Sequence, residues 1–328
     1  MNIYDIAEEA GVSITTVSRV LNNKSNVKYE TRKRIEEVLN KHNYSPSPIA
    51  RGLVSKNMNT VGILTIDVRV PHYAASAYIL EHELYKIGYN AILCNTSGKA
   101  ENGADYISML AKKGVSGIVL IGSVFQNKQI EATVVKNAPN IPFISWNSQI
   151  NAPNAYSVII NHENGMNLAI NHLRDKGHRK IIYVQDAHTF SAIRKVDAFI
   201  KISGQHKDYP ANRYVFHTER GILGGKNAVD HIMESGLEHS AIIFGDDTTA
   251  SGGIQRLHQL GKKVPDDIAV IGWNNTESLL CEPNLTTVDN QNDTLGLICV
   301  KMLENILEGN DISPVVTIDS SLVIREST

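Results

Sequence analysis

The side chains best suited to recognition chemistry lie in a short segment near the N-terminus. Short polar or branched side chains and one guanidinium follow one another there: Ser13, Ile14, Thr15, Thr16, Ser18, Arg19 and Asn22, with Tyr4 as a further candidate nearby. A guanidinium can form two hydrogen bonds to one guanine, hydroxyl and amide groups reach bases or phosphates, and a branched side chain can contact a thymine methyl group. These residue types therefore predict contacts with double-stranded DNA.

Two short amphipathic helices must position these side chains. Apolar residues recur at helical spacing on both sides of Gly11: Ile3, Ile6, Ala7 and Ala10 before it, and Val17, Val20 and Leu21 after it. Gly11 is free to adopt a positive φ at the turn, and Ser13 can cap the second helix. The spacing predicts a helix-turn-helix. An ordinary helical hairpin is the alternative, but small residues where the two helices must cross favour the DNA-binding form.

The N-terminal part of the chain is more basic than the rest. Residues 1–59 hold nine Lys and Arg against six Asp and Glu, a net +3, whereas the remaining residues hold 23 against 28, a net −5. A basic head on an acidic remainder is expected of a protein that contacts nucleic acid through one end. A solvated charged helix at residues 30–41 accounts for part of this excess.

The composition argues against several other kinds of protein. The cysteines Cys94, Cys281 and Cys299 are well separated, so they predict neither a disulfide framework nor a zinc site and indicate a reducing cytoplasm. No signal peptide precedes the first helix, and no apolar run reaches the ~18 residues of a membrane span. The twelve histidines show no metal-ligand spacing. We therefore expect no metal, no cofactor and no membrane partner.

From residue 60 onward, short apolar runs alternate with helical patterns. The predicted strands are 61–66, 91–95, 117–121, 143–146, 158–160, 181–184, 214–217, 241–244, 268–273, 287–289 and 322–325. Amphipathic stretches such as 77–87, 164–176 and 294–307 lie between them. This alternation predicts α/β units with parallel sheets covered by helices on both faces. Because these strands are too many for one comfortable sheet, we expect two lobes.

Further stretches of the chain resemble the lactose/galactose-repressor family of bacterial transcription regulators. They are YSPSPIARGL at 44–53, GHRKI at 177–181, VPDDIAVIG at 264–272, PNLTTV at 283–288 and SSLVIREST at 320–328. Their order and spacing together carry the resemblance, which covers essentially the whole chain. It implies a homodimeric, ligand-controlled regulator, most simply a repressor of a carbohydrate-uptake or catabolic operon. Two-fold pairing of the recognition helix would match a pseudo-palindromic operator.

The resemblance implies an α/β fold with an N-terminal helix-turn-helix head and a two-lobed, periplasmic-binding-protein-like core of doubly wound parallel sheets. We expect the head at residues 1–44, a hinge helix and linker at 45–59 and an effector-binding core at 60–328. The first lobe is expected at about 60–158 and 290–319, and the second at about 159–289 and 320–328. No heptad tail follows the last predicted strand, so a dimer is expected rather than a tetramer.

The linker carries its own helix signal. Ser47 and Pro48 suit an N-cap and a first helical residue, but the seven residues 48–54 fall far short of the ~12–15 that an isolated helix needs. We expect this hinge to be helical only when docked on DNA. The resemblance implies that Leu53 inserts between base pairs in the minor groove, and Arg51 beside it can reach a phosphate or the groove floor.

The resemblance also implies a small-molecule site between the two lobes. One wall is expected to hold Asp67, Val70, His72, Tyr73, Trp146 and Asn147, and the opposite wall Lys195, Arg220, Asp246, Trp273 and Asn274. Asp246 and Asn274 exchange the asparagine and aspartate of the family pattern, and Lys195 stands where relatives usually have arginine. Trp273 is expected either to face a sugar ring or to belong to the lobe core.

The charges expected at this site bear on the ligand. Lys195, Arg220, Arg69 and His72 face a single assigned carboxylate, Asp246, and a surplus of buried cations disfavours a neutral ligand. We therefore expect a uronate-type or extended saccharide, with a neutral mono- or disaccharide as the alternative.

Two other classes of function fit less well. An enzyme is disfavoured because GILGGKN at 221–227 lacks the spacing and the Ser or Thr of a phosphate loop, and because adjacent residues such as Asp246 and Asp247 normally point apart. A secreted sugar-binding protein would suit the core but not the head.

Overall fold

The computed structural model describes residues 2–21, 26–42, 59–204 and 210–328. The chain divides into two compact units, Met1–Met58 and Asn59–Thr328.

The first unit contains three helices, α1 (Ile3–Glu9), α2 (Ile14–Leu21) and α3 (Tyr29–Lys41). Asn2 and Asp5 form a capping box at the start of α1. Gly11 adopts φ +63° at the turn between α1 and α2, as its position predicts. Ile6, Val17 and Ile35, one from each helix, are fully buried together and form the centre of a small core.

The second unit contains two six-stranded sheets. Its strands are β1 (Thr60–Thr65), β2 (Asn90–Asn95), β3 (Gly117–Ile121), β4 (Phe143–Trp146), β5 (Ala155–Asn161), β6 (Ile181–Gln185), β7 (Val215–His217), β8 (Ala241–Phe244), β9 (Ala269–Trp273), β10 (Thr286–Asp289), β11 (Val315–Asp319) and β12 (Ser321–Val323). The first sheet has the order β11-β5-β4-β3-β1-β2 and the second β12-β10-β9-β8-β6-β7. Among the described strands, pairing is parallel except between β10 and β12.

Helices cover both faces of each sheet. They are α4 (Pro71–Lys86), α5 (Ala100–Lys113), α6 (Lys128–Asn137), α7 (His162–Asp175), α8 (Phe190–Ser203), α9 (Ile222–Glu234), α10 (Asp247–Gln259) and α11 (Asn292–Leu307). In β1, Ile63 packs into the core on one face and Leu64 into the core on the other, which is why this strand is apolar throughout. The two lobes of parallel sheet predicted from the alternating pattern are therefore present.

Gly225, in the 221–227 stretch, serves helix packing. A Cβ atom on Gly225 would lie 1.9 Å from the carbonyl oxygen of Thr249, and one on Gly252 would lie 2.1 Å from that of Ile222. Glycine at these positions therefore lets α9 and α10 cross closely. This accounts for Gly225 without a bound phosphate.

The chain passes from one sheet to the other after β5, after β10 and after β11. The pairing of Asn161 with Asp319 keeps β5 in the first sheet to its last residue, so the first crossing follows residue 161, close to the lobe boundary expected at about residue 158. The partner strand β11 was not among the predicted strands. It is a partly exposed edge strand without a continuous apolar run, so its pattern gave little signal.

Among the described residues, no helix combines the length and apolarity that crossing a bilayer requires. The same residues contain no group of three or more His, Cys, Asp or Glu side chains placed to hold a metal ion.

Candidate functional site

The second helix of the head presents the side chains predicted to contact DNA. Val17 and Val20 are buried against the other two helices, which leaves the opposite side of α2 facing outward. Ser13 accepts a hydrogen bond from the backbone N–H of Thr16 at 3.3 Å, so it caps α2 as predicted. The predicted contact residues Tyr4, Ile14, Thr15 and Arg19 are exposed, and Thr16 and Ser18 are half-buried.

Three predicted DNA contacts, Asn22, Arg51 and Leu53, lie outside the described residues. Residues 45–58 of the linker also lie outside them. Their roles therefore stay predictions.

A cavity lies between the two lobes of the core, at the carboxyl ends of their parallel strands. It is narrow, with a volume of ≈ 60 Å³. Its lining includes seven predicted residues, His72, Tyr73, Trp146, Asn147, Lys195, Arg220 and Asn274, and several that were not predicted, among them Ser123, His162, Thr189, Ser191, Asn290 and Asn292. Strand ends of open parallel sheets are the usual position of ligand sites, and the loops after these strands deliver the polar side chains.

Asp67 does not line this cavity, contrary to expectation. It forms an ion pair with Arg69, with Oδ2 2.6 Å from Nη2, and hydrogen bonding from Arg69 lowers the pKa of Asp67 to about 2. Since Arg69 is mostly exposed, both charges are neutralised at the surface. Neither residue therefore adds charge to the cavity.

A buried acid–base contact borders the cavity in the second lobe. The Nε atom of Arg220 lies 3.8 Å from Oδ2 of Asp186 and makes no hydrogen bond within the described protein. Burial lowers the pKa of Arg220, but Asp246 and Asp186 outweigh it and raise the pKa above its usual value. Arg220 is thus a fixed cation with an N–H donor left for a ligand.

Asp246 lies just behind the cavity wall and connects its two sides. Its Oδ2 accepts a hydrogen bond from Nδ2 of Asn274 at 2.9 Å and lies 3.6 Å from Nδ1 of His72, which belongs to the first lobe. Burial acts to raise the pKa of Asp246, but His72, Arg220 and Lys195 hold it below its usual value. Burial also lowers the pKa of His72, so this histidine is mainly neutral near pH 7.

Trp273 is buried in the core of the second lobe. Its side chain has no exposed surface, and its indole N–H donates to Oδ1 of Asn290 at 3.2 Å. Trp273 was expected either to face a sugar ring or to belong to the lobe core. Its position is that of a core residue and leaves no free ring face for a sugar.

His162 was not predicted, although it lines the cavity. The backbone N–H of Ile160 donates to Oδ1 of Asn147, which directs Nδ2 of Asn147 toward Nε2 of His162 at 3.1 Å. Burial, together with Lys195 and Arg194, lowers the pKa of His162 well below its usual value, so the ring is neutral and its proton lies on Nδ1. That buried Nδ1 has no partner within the described protein.

Asp247 faces away from Asp246. It accepts hydrogen bonds from the hydroxyl of Thr287 at 2.6 Å and from the backbone N–H of Thr276 at 2.8 Å. Burial raises the pKa of Asp247 to about 7. The two carboxyl groups therefore do not form a catalytic pair.

Comparison with known families agrees with this architecture of a three-helix head and a two-lobed core. The family profile described as bacterial regulatory proteins, lacI family, matches residues 2–47, and the one described as a periplasmic binding protein-like domain matches residues 170–328. A curated HTH-type transcriptional regulator from Lachnoclostridium phytofermentans is 31% identical over 333 residues, covering 100% of this chain and 99% of the relative. The chain belongs to the lacI family of bacterial regulatory proteins.

Other members of the lacI family match over nearly their full length. The HTH-type transcriptional repressor PurR of Aliivibrio fischeri, strain MJ11, is 31% identical, with 94% of this chain and 92% of the relative covered. A crystal structure of the lac repressor dimer bound to operator and the anti-inducer ONPF superposes with a TM-score of 0.89 at 24% identity, covering 100% of this chain and 98% of that one. The predicted family and fold are confirmed, and the chain is a DNA-binding transcription regulator rather than an enzyme.

In this lacI-family regulator the two lobes touch directly beside the cavity. The hydroxyl of Ser123, after β3 of the first lobe, donates to Oγ of Ser191 in α8 of the second lobe at 3.0 Å, and the backbone N–H of Ser191 donates back to Oγ of Ser123 at 3.1 Å. Opening the cleft would break both bonds. No sequence pattern predicts this pair, because two serines 68 residues apart share no local pattern.

Proposed function

We propose that this lacI-family regulator represses genes of carbohydrate uptake or breakdown in response to a saccharide bound in the cavity between its lobes. One observation carries the proposal: three buried polar atoms at the cavity have no partner within hydrogen-bond distance in the described protein. Nδ1 of His162 has no partner there, whereas Nδ1 of His72 and Nε of Arg220 each have only a carboxylate oxygen, at 3.6 and 3.8 Å. A buried polar atom without a partner is costly, so a ligand rich in oxygen atoms would stabilise this arrangement.

The charges favour a neutral ligand over the acidic one expected from the sequence. Burial lowers the pKa of Lys195 to about 8, so Lys195 and Arg220 supply two cations near pH 7. Asp246 lies within the same group and Asp186 pairs with Arg220, while Arg69 is paired elsewhere and His72 is mainly neutral. The cationic surplus therefore disappears, and a neutral polyhydroxyl ligand needs no compensating charge.

The proposed repressor acts as a homodimer on a pseudo-palindromic operator. The core carries exposed apolar side chains on both lobes, including Tyr85 on α4, Leu223 on α9 and Leu280, which is 81% exposed. Such side chains are suited to self-association. A saccharide would change DNA affinity only by binding the open and closed lobe arrangements unequally.

The DNA-binding half of the proposal is tested by comparing the full chain with a shortened chain that begins at Asn59. The full chain is expected to select a specific, salt-sensitive duplex from random DNA, and the shortened chain to bind none. If both bind alike, the head is not the DNA-binding part.

The ligand half is tested by thermal shift followed by calorimetry with neutral sugars, uronates, sugar phosphates and purine bases. A neutral sugar is expected to raise the melting temperature, and Arg220→Ala and Asp246→Asn are each expected to weaken its binding. Stabilisation by a purine base or a uronate, with no response to any neutral sugar, would contradict the proposed ligand.

A further inference from the structure

The charge of Arg220 is balanced from outside the cavity. Arg220 lines the cavity between the lobes, whereas Asp186, which follows β6 directly, is not among the lining residues, and its side chain is only 1% exposed. Among the described residues, Asp186 provides the carboxylate that pairs with Arg220. The cation therefore faces a ligand on one side and a buried carboxylate on the other.

Asp186 does not take the free donor of Arg220. The Nε atom of Arg220 is 3.8 Å from Oδ2 of Asp186, which is too long for a hydrogen bond, although both groups are buried. A carboxylate beside a buried guanidinium is expected to close this distance, because direct pairing offsets the cost of burying both charges. A further contact must therefore hold Oδ2 in place.

The hydroxyl of Thr249 holds that oxygen. Thr249 is fully buried on α10 and donates its hydroxyl proton to Oδ2 of Asp186 at 2.8 Å. The same Oγ1 atom accepts a hydrogen bond from the backbone N–H of Gly221 at 3.1 Å, and Gly221 follows Arg220 in the chain. Thr249 thus ties Asp186 to the segment that carries Arg220 and fixes the separation of the two charges.

The other carboxylate oxygen of Asp186 fits against a glycine. A Cβ atom on Gly245 would lie 2.6 Å from Oδ1 of Asp186, closer than real Cβ contacts come. The carbonyl oxygen of the same glycine accepts a hydrogen bond from Nζ of Lys195. Both oxygens of Asp186 are therefore confined, and the space for this carboxylate is built into the backbone after β8.

This arrangement decides which ligand charge is favourable beside Arg220. Burial acts to lower the pKa of Arg220, but Asp246 and Asp186 raise it above its usual value, so the guanidinium is already compensated. A ligand carboxylate would add an anion to two cations, Arg220 and Lys195, that two carboxylates already balance, and like charges repel. Without Asp186, a buried positive charge would be left unpaired, and a ligand carboxylate would relieve that cost.

We propose that Asp186 determines the charge of the ligand that the cavity accepts, and that Thr249 keeps the Nε–H of Arg220 free for that ligand. Both are positioning residues, since they act through Arg220 and do not line the cavity. This inference rests on the proposed saccharide ligand and adds the residues that select a neutral sugar over an acidic one.

The test measures, by calorimetry on the full chain, the affinity of each neutral sugar of the thermal-shift series and of its uronate. Glucose with glucuronate and galactose with galacturonate are the first pairs. Asp186→Asn keeps the shape of the side chain and removes its charge. Asp230→Asn is the matched control, because Asp230 pairs with Nε of Arg256 between α9 and α10, outside the cavity. Thermal melting reports the folding of each variant, and Asp186→Ser is the substitute if Asp186→Asn does not fold.

Asp186→Asn is expected to raise the ratio of uronate affinity to neutral-sugar affinity by about tenfold or more, whereas Asp230→Asn should leave it unchanged. In a chain that already carries Arg220→Ala, adding Asp186→Asn should no longer raise the ratio, because the cation that it uncovers is absent. A merely structural role of Asp186 would lower both affinities together. A ratio that is unchanged in Asp186→Asn, or raised equally in Asp230→Asn, overturns the inference.

Thr249→Val keeps the shape of the side chain and removes its hydroxyl. Asp186 should then pair directly with Arg220, so both sugars should bind about tenfold more weakly with their ratio unchanged, and Thr249→Ser should restore binding. Unchanged affinity in Thr249→Val overturns the role of Thr249. If wild type binds a neutral sugar and these variants do not behave as expected, the proposed function stands, whereas a wild type that binds no sugar overturns the proposed function itself.

Discussion

The ammonium group of Lys195 lies 4.8 Å from the centre of the Trp273 ring. Lys195 also donates a hydrogen bond to the carbonyl oxygen of Gly245 at 2.7 Å, so its position is set from two sides. A cation over an indole face is a favourable contact, strengthened here by burial. Trp273 therefore supports the cavity by positioning Lys195, and no stacked sugar is needed to explain it.

Trp273→Phe should destabilise the core more than it weakens ligand binding. The change removes the indole N–H bond to Asn290 and part of a fully buried side chain, with an expected loss of ~1–3 kcal/mol in the free energy of unfolding by urea. Trp146→Phe is the comparison, because Trp146 is also buried but lines the cavity, so its loss should lower affinity as well as stability. If Trp273→Phe abolished ligand binding and left stability unchanged, Trp273 would be a ligand-binding residue and not a core residue.

Ser123→Ala should favour the open arrangement of the lobes. It removes two hydrogen bonds between the lobes, each worth a net ~0.5–1.5 kcal/mol, and effector affinity should fall by about tenfold. Small-angle scattering should report a larger radius of gyration without ligand. Ser108→Ala is the control, since Ser108 bonds Asn137 within one lobe, and equal effects of the two variants would refute a role of the Ser123–Ser191 contact in closure.

Asp247 should make stability fall as the pH rises toward neutrality. Burial raises the pKa of Asp247 to about 7 in the folded state, whereas the pKa of an unfolded aspartate is about 4. Between these two pH values the folded state holds a proton that the unfolded state has lost. The stability contributed by this group is present below about pH 4 and is lost with a slope of at most about 1.4 kcal/mol per pH unit as pH approaches 7.

Asp247→Asn removes this titration. Its one amide oxygen can accept from the backbone N–H of Thr276, while its NH2 group donates to the hydroxyl of Thr287. Urea unfolding of wild type and variant at pH 5 and pH 8 should therefore give a stability difference that shifts in favour of the variant at the higher pH. Asp311→Asn, at an exposed carboxylate, controls for general charge effects. A pH-independent difference would contradict the prediction.

Arg19→Ala should weaken binding to the operator by ~1–3 kcal/mol and hardly alter binding to random DNA, because a bidentate contact with guanine carries sequence information. Fluorescence anisotropy with both duplexes at fixed salt measures the two losses. Equal losses would make Arg19 a phosphate contact and leave base recognition to Ile14, Thr15 and Thr16.

The sequence was sufficient where neighbouring residues decide the structure. The helix-turn-helix follows from apolar spacing, Gly11 and the Ser13 cap, all within one short segment. The buried strands β3, β4 and β8 were predicted to the residue because each is a short run between turns that is apolar throughout, except for Ser145 in β4. The edge strand β11 lacks such a run, and its place is set by pairing with β5.

The cavity depended on long-range contacts that no local pattern encodes. The family pattern supplied Arg220, Asn147 and Asn274, but it also supplied Asp67, which pairs with Arg69 two residues away. The sequence by itself determined the head, the two-lobed class and most of the cavity wall, because helical and strand periodicity and motif order are properties of the chain. Only the tertiary structure decided which charges are paired, that Trp273 is buried and that His162 holds an unpaired donor, because burial and pairing depend on distances between residues far apart in sequence.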